Sequence, residues 1–189
     1  MSAFYLLGLL AAWAVLTGLL WKLWRKLRAE AGARRVKADL VFAVAALAWL
    51  AVSFWYGGGR KCYYDAKVER LCAIDGGIKV YETVRLPAEK FNEWGQVNFY
   101  KPTQGERALG PEYVFHEDVS VQLAGIPEIR RYHYKVTNAA NLAVLAETIS
   151  YQRGGGDLPG PWQPSAFTCP PIAEAGPNAL LMKMFLKEQ

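Results

Sequence analysis

Two runs without a charged residue, Ala3 to Leu20 and Leu40 to Tyr56, dominate the polarity pattern of the chain. A helix needs about 20 residues at 1.5 Å rise to cross a hydrocarbon core about 30 Å thick, because its peptide groups find no water there. Both runs are close to that length, so the pattern predicts two transmembrane helices, within residues 1–24 and 39–56. Trp21 and Trp24 follow the first run, and Trp55 and Tyr56 end the second, as suits rings that sit half wet at a membrane interface.

Past Tyr56 the period changes. Gly57, Gly58 and Gly59 open a hinge over residues 57–61, and the remainder, 62–189, reads as one small α+β domain. Tyr64, Val68, Leu71 and Cys72 recur at helical spacing, and Gly76 with Gly77 supplies the backbone freedom that stops a helix. Ile78, Val80 and Val84 alternate against Lys79, Tyr81 and Thr83, which predicts one strand over Ile78 to Leu86. Pro87 opens a second short helix that Gly95 closes, and an irregular excursion follows from Gln96 to Pro111.

Three further stretches alternate with period two: Val114 to Leu123, Ile129 to Thr137, and Leu142 to Arg153. In the first, Val119, Val121 and Leu123 share one face, and His116, Asp118, Ser120 and Gln122 share the other. Such patterns predict an antiparallel meander packed on one side. Leu180 to Leu186 either closes the sheet or forms a short helix.

Charge fixes the sidedness of this plan. Between Trp21 and Asp39 there are seven basic residues and two acidic ones, a local balance of +5, whereas Cys62 to Gln189 carries 13 basic and 15 acidic residues. The loop over residues 25–38 is therefore expected in the cytoplasm, with both termini and the domain on the periplasmic side of the inner membrane. A nearly neutral domain lacks the clustered Lys and Arg that meet phosphates, which argues against nucleic acid as a partner. A cleaved signal peptide needs a basic start, but Met1 to Leu20 holds no Lys or Arg. Translation starting inside the basic loop would leave one anchor and the same exported domain. Arg60 and Lys61 before Cys62 also exclude a lipid-modification site, which needs small residues there.

Three cysteines on an exported side imply one disulfide and a spare thiol. Cys72 lies on the packed face of its helix and Cys169 in a stiff Pro-rich segment, so these two are expected to pair. Cys62 is then a free thiol, shielded or joining two copies. No CxxC, GxSxG, GxxxxGK, GxGxxG or HExxH motif occurs, and no cofactor or metal is expected.

His116 and Asp118 share a strand face, and His133 on another strand is the one histidine that can join them in a polar cluster. Glu117 points the other way. Glu147, on the apolar face of its strand, is expected to form a structural ion pair with Arg153 or Arg131. Trp94, Phe99, Tyr100 and Trp162 fall in irregular segments, where aromatics suit a contact surface. The reading that unites these features is an inner-membrane-anchored protein presenting a small periplasmic domain, with the bilayer and a protein partner or a second copy as its contacts. Its rivals are a periplasmic ligand-binding or sensor module and an envelope enzyme using His116, His133 and Asp118.

Overall fold

The computed structural model describes residues 2–30, 35–158 and 163–188. The chain divides into two units, one of residues 1–60 with 157–164, the other of residues 61–156 with 165–189. The first is a helical hairpin of α1 (Ser2–Glu30) and α2 (Arg35–Phe54). Both helices are long and apolar enough to cross a membrane by length and composition, and none of their most apolar stretch is covered by protein. Polar groups tie the pair at both ends: Trp13 Nε1 donates to Ser53 Oγ at 3.0 Å, and Trp24 Nε1 donates to Asp39 Oδ1 at 3.0 Å. At that second end the Trp21, Trp24 and Phe42 rings cluster, with Arg28 over Trp24 and 3.5 Å from Asp39.

Gly57 to Gly59 fall at a kink between two helical segments. Residues Trp55–Gly59 make a wide π turn, with the Arg60 N–H donating to Trp55 O and helical torsions lost at Gly58 alone. Glycine permits this because a Cβ on residue 59 would stand 2.8 Å from the Phe54 ring.

In the second unit, α3 (Arg60–Asp75) is followed by β1 (Gly77–Val80), β2 (Val84–Leu86), β3 (Tyr113–Leu123), β4 (Glu128–Asn138), β5 (Val144–Gly154), β6 (Ala166–Cys169), α4 (Ile172–Ala175), α5 (Pro177–Met184) and β7 (Phe185–Lys187). The main sheet is antiparallel in the order β1-β5-β4-β3, with β6 beside β5 beyond the end of β1. The α+β antiparallel plan therefore holds. Gly77 ends α3 with φ +115°, a left-handed torsion that costs a residue with a Cβ.

Three local expectations change. Ile78 to Leu86 is two strands rather than one: the N–H groups of Tyr81 and Glu82 both donate to Leu145 O, turning the chain off the sheet, and β2 then pairs parallel with β7. The helix expected after Pro87 stops as a 3-10 turn, Ala88–Lys90. Asn92 Oδ1 captures the N–H groups of Trp94 and Gln96, a local bond that competes with helix continuation. The C-terminal segment is both alternatives in sequence, helix α5 and then strand β7.

The sheet is covered on both sides, which also corrects the one-sided packing expected. On one side α5 and the loop before β3 enclose Phe115, Val136, Ala146, Leu180, Leu181 and Phe185. Burying each of the large side chains among these stabilises the fold by about 1.5–3 kcal/mol. On the other side α3 sets Val68 and Cys72 against Ile129, Ile149 and Tyr151.

The disulfide joins Cys72 to Cys169 across 97 residues, with Cα atoms 5.8 Å apart, fastening α3 to β6. Cys62 is free and exposed. A closed loop of this size restricts the unfolded chain by an amount worth about 4–5 kcal/mol in the chain-entropy model. A Cys72→Ala, Cys169→Ala variant should therefore lose about 3–5 kcal/mol in denaturant unfolding of the full chain in detergent; a loss under about 1 kcal/mol would contradict this account.

Candidate functional site

The strand register decides which sequence candidates meet. On one face of the sheet, Asp118 of β3 lies opposite His133 of β4, and His116 lies opposite Lys135. The two histidines nevertheless serve different groups. His133 Nε2 is 2.9 Å from Glu147 Oε2, while His116 Nε2 lies 3.4 Å from Thr137 Oγ1 and its Nδ1 3.6 Å from Glu106 Oε1. No two-histidine centre forms. Among the described residues no group of three or more His, Cys, Asp or Glu side chains is placed to hold a metal ion.

Glu147 does not pair with Arg153 or Arg131, because β4 and β1 flank it with closer groups. Tyr81 donates its hydroxyl to Glu147 Oε1 at 2.6 Å, and Lys79 Nζ stands 4.0 Å from the same oxygen. With His133 on the other oxygen, one carboxylate ties together the chain of β1, β4 and β5. The two arginines serve α3 instead. Arg131 Nη2 reaches Asp75 Oδ2 at 3.2 Å, Tyr151 donates to Asp75 Oδ1 at 2.7 Å, and Arg153 bonds Asp65.

The expected contact aromatics separate as well. Trp94 is 71% exposed at the tip of its turn. Phe99 packs edge-on against Phe185 at 5.5 Å and belongs to the core, as does the ring of Tyr100, 5.6 Å from Phe115. Trp162 lies outside the described residues.

The most site-like place in the domain lies beside β3, and of the residues singled out in the sequence Tyr100 and His116 reach it. A cavity of about 670 Å³ opens there, floored by Tyr100, Phe115 and Tyr134 and flanked by Glu106, Glu117 and Val119. Phe115 and Tyr134 stack at 5.8 Å, and Tyr132 continues the row at 6.4 Å. Burial, reinforced by the Glu117 carboxylate, pushes the Tyr134 phenol up to about 12; the same two causes raise Tyr100. Both therefore stay protonated, as neutral hydroxyls.

The cavity adjoins an open edge. β3 ends the sheet order, and among the described residues no strand pairs with its outer side. Val119 and Val121 are 43% and 52% exposed there, although their alternation marks them as inward. An irregularity between Val121 and Leu123 explains the split: it turns Leu123 to the α3 side opposite Ile129, leaving the two valines on the face with the cavity. The alternation of Phe115, Glu117 and Val119 was the available signal, but it could not show that the row borders an uncovered edge. Comparison with protein-family models, with curated proteins and with solved structures finds no match.

The Glu147 network has a pH signature. The Tyr81 hydroxyl, followed by His133 and Lys79, holds the Glu147 carboxyl below its ordinary range, against the opposing pull of burial. In the unfolded chain this group takes up its proton near pH 4.3, so its stabilisation is complete above about that value and is lost as pH falls through the lower folded pKa. Glu147→Gln should flatten the fall in stability between about pH 5 and pH 3 in urea unfolding. Parallel curves for variant and wild type would show that the network carries no charge-dependent stability.

Proposed function

We propose that this chain is an inner-membrane-anchored protein whose two apolar helices hold a small domain on the periplasmic side, where the open edge of β3 docks a protein partner. The observation that carries the docking part is the conjunction on β3 of an unpaired outer edge, two exposed valines and an adjoining aromatic cavity. A strand edge offers a row of free peptide donors and acceptors to another chain, and natural proteins usually blunt or cover such edges.

The anchoring part is supported by the uncovered apolar surface of α1 and α2, together with the basic residues between them. Uncovered apolar area of that size in water is unfavourable by about 25 cal/mol per Å², whereas hydrocarbon accepts it. Lys and Arg concentrated at one end favour retention of that end in the cytoplasm. The Cys72–Cys169 disulfide fits the oxidising side of the membrane. The clamp it makes between α3 and β6 suits a rigid display domain.

Two measurements test the two parts. An alkaline phosphatase reporter fused after Gln189 should be active, with Cys72 and Cys169 oxidised in intact cells; an inactive reporter with both thiols reduced contradicts the topology. A photoreactive residue at Val119 should give a protein adduct in cells that the same residue at Leu142, in the exposed turn between β4 and β5, does not give. Equal labelling from both positions, or none from Val119, contradicts docking at β3.

A further inference from the structure

We infer that the cavity beside β3 receives the Lys or Arg side chain of an extended polypeptide segment paired with the outer edge of that strand; this rests on the reading of that edge as a docking surface. The edge is only partly open. The 3-10 segment Pro102–Arg107 comes up to the first part of β3, where Glu106 faces His116, and leaves Glu117, Asp118, Val119 and Val121 exposed. A short strand fits that opening. Its side chains would alternate as those of β3 do, so every second one would lie on the face where the cavity opens.

The lining of the cavity selects what stands there. Glu106 and Glu117 supply two carboxylates, Tyr100, Phe115 and Tyr134 supply ring faces, His116 lines the space beside Glu106, and among the described residues no Lys or Arg does. Glu106 is 75% exposed, so it can swing toward an incoming group. Rings attract a cation through their negative faces, and carboxylates hold guanidinium or ammonium through charge-assisted hydrogen bonds. A volume of about 670 Å³ accommodates either side chain with its water. An acidic side chain would meet two like charges. A second copy pairing β3 symmetrically about Glu117 and Asp118 would also set acidic residues against acidic ones, which is unfavourable across strands.

The test uses the full chain in detergent and three fluorescent peptides: acetyl-Val-Thr-Arg-Thr-Val-Thr-amide, the same peptide with norleucine for Arg, and the same with Glu. Anisotropy should show the Arg peptide binding about tenfold more tightly than the norleucine one, the Glu peptide most weakly, and the Arg preference falling with added salt. Glu106→Gln with Glu117→Gln should remove the preference and leave norleucine binding intact, which also shows that the variant is folded. Equal binding of Arg and norleucine peptides, or a preference that survives in the double variant, overturns the basic specificity while leaving edge docking in place. Failure of all three peptides to bind, or formation of a β3-to-β3 dimer reported by Val119 photo-adducts to β3 itself, overturns the inference together with its peptide-docking premise.

Discussion

The guanidinium of Arg153 lies near the end of a strand buried on both faces, only 2% exposed, and the arrangement of the second unit turns on how that charge is satisfied. An isolated charge at this depth would cost several kcal/mol, so every donor needs an acceptor from a different part of the chain. Asp65 comes from α3, the carbonyl of Gly155 from the turn after β5, and the carbonyl of Ser165 from the approach to β6. Helix α3 and the approach to β6 are thus drawn to the turn that follows β5. Tyr151 and Arg131 repeat the device one step away on Asp75, and the disulfide closes the same seam covalently. Hydrophobic contact of Val68 and Cys72 with Ile129 and Ile149 supplies the driving force for docking α3, while the charges specify its placement.

That anchoring has a consequence for the rest of the sheet. α3 covers one end of one face, and α5 with the loop before β3 covers most of the other, so β5 and β4 are enclosed while β3 is left at the margin. The uncovered polar half of the α3 face is held by the Glu147 network, in which Tyr81, His133 and Lys79 all converge on one carboxylate. On the opposite face the rings of Tyr100, Phe115, Tyr134 and Tyr132 form a row that crosses from β3 onto β4. Burial therefore grades into accessibility along a single aromatic row. The aromatic row is held stiffly, because Phe115 at its centre is also core.

The helical hairpin obeys a different balance. Its most apolar stretches are uncovered, and the side-chain hydrogen bonds Trp13–Ser53 and Trp24–Asp39 join its two helices. Trp24 and Arg28 both serve Asp39 at the basic end, which places that carboxylate within its own patch of positive charge.

Periodicity alone was enough for much of this. The two apolar helices, the amphipathic face of α3 and the three long strands follow from local spacing, because side-chain direction repeats with the backbone, and the pairing of Cys72 with Cys169 from the packed helix face of one and the stiff Pro-rich segment of the other. The partners of Glu147, Arg131 and Arg153 did not follow, since period two names a face but not the register that selects neighbours on it. Nor did the split of the strand at Tyr81, the turn held by Asn92, or the exposure of Val119 and Val121. The first depends on the Leu145 carbonyl brought from β5, the second on a local side-chain oxygen competing with the helix, and the third on an edge of β3 beside which no strand lies among the described residues. Sequence by itself determined the two apolar helices, the amphipathic α3, the three long strands and which surfaces are apolar. The tertiary structure alone decided which edge stays open and which charges meet, because those depend on which element fills the last place beside a strand.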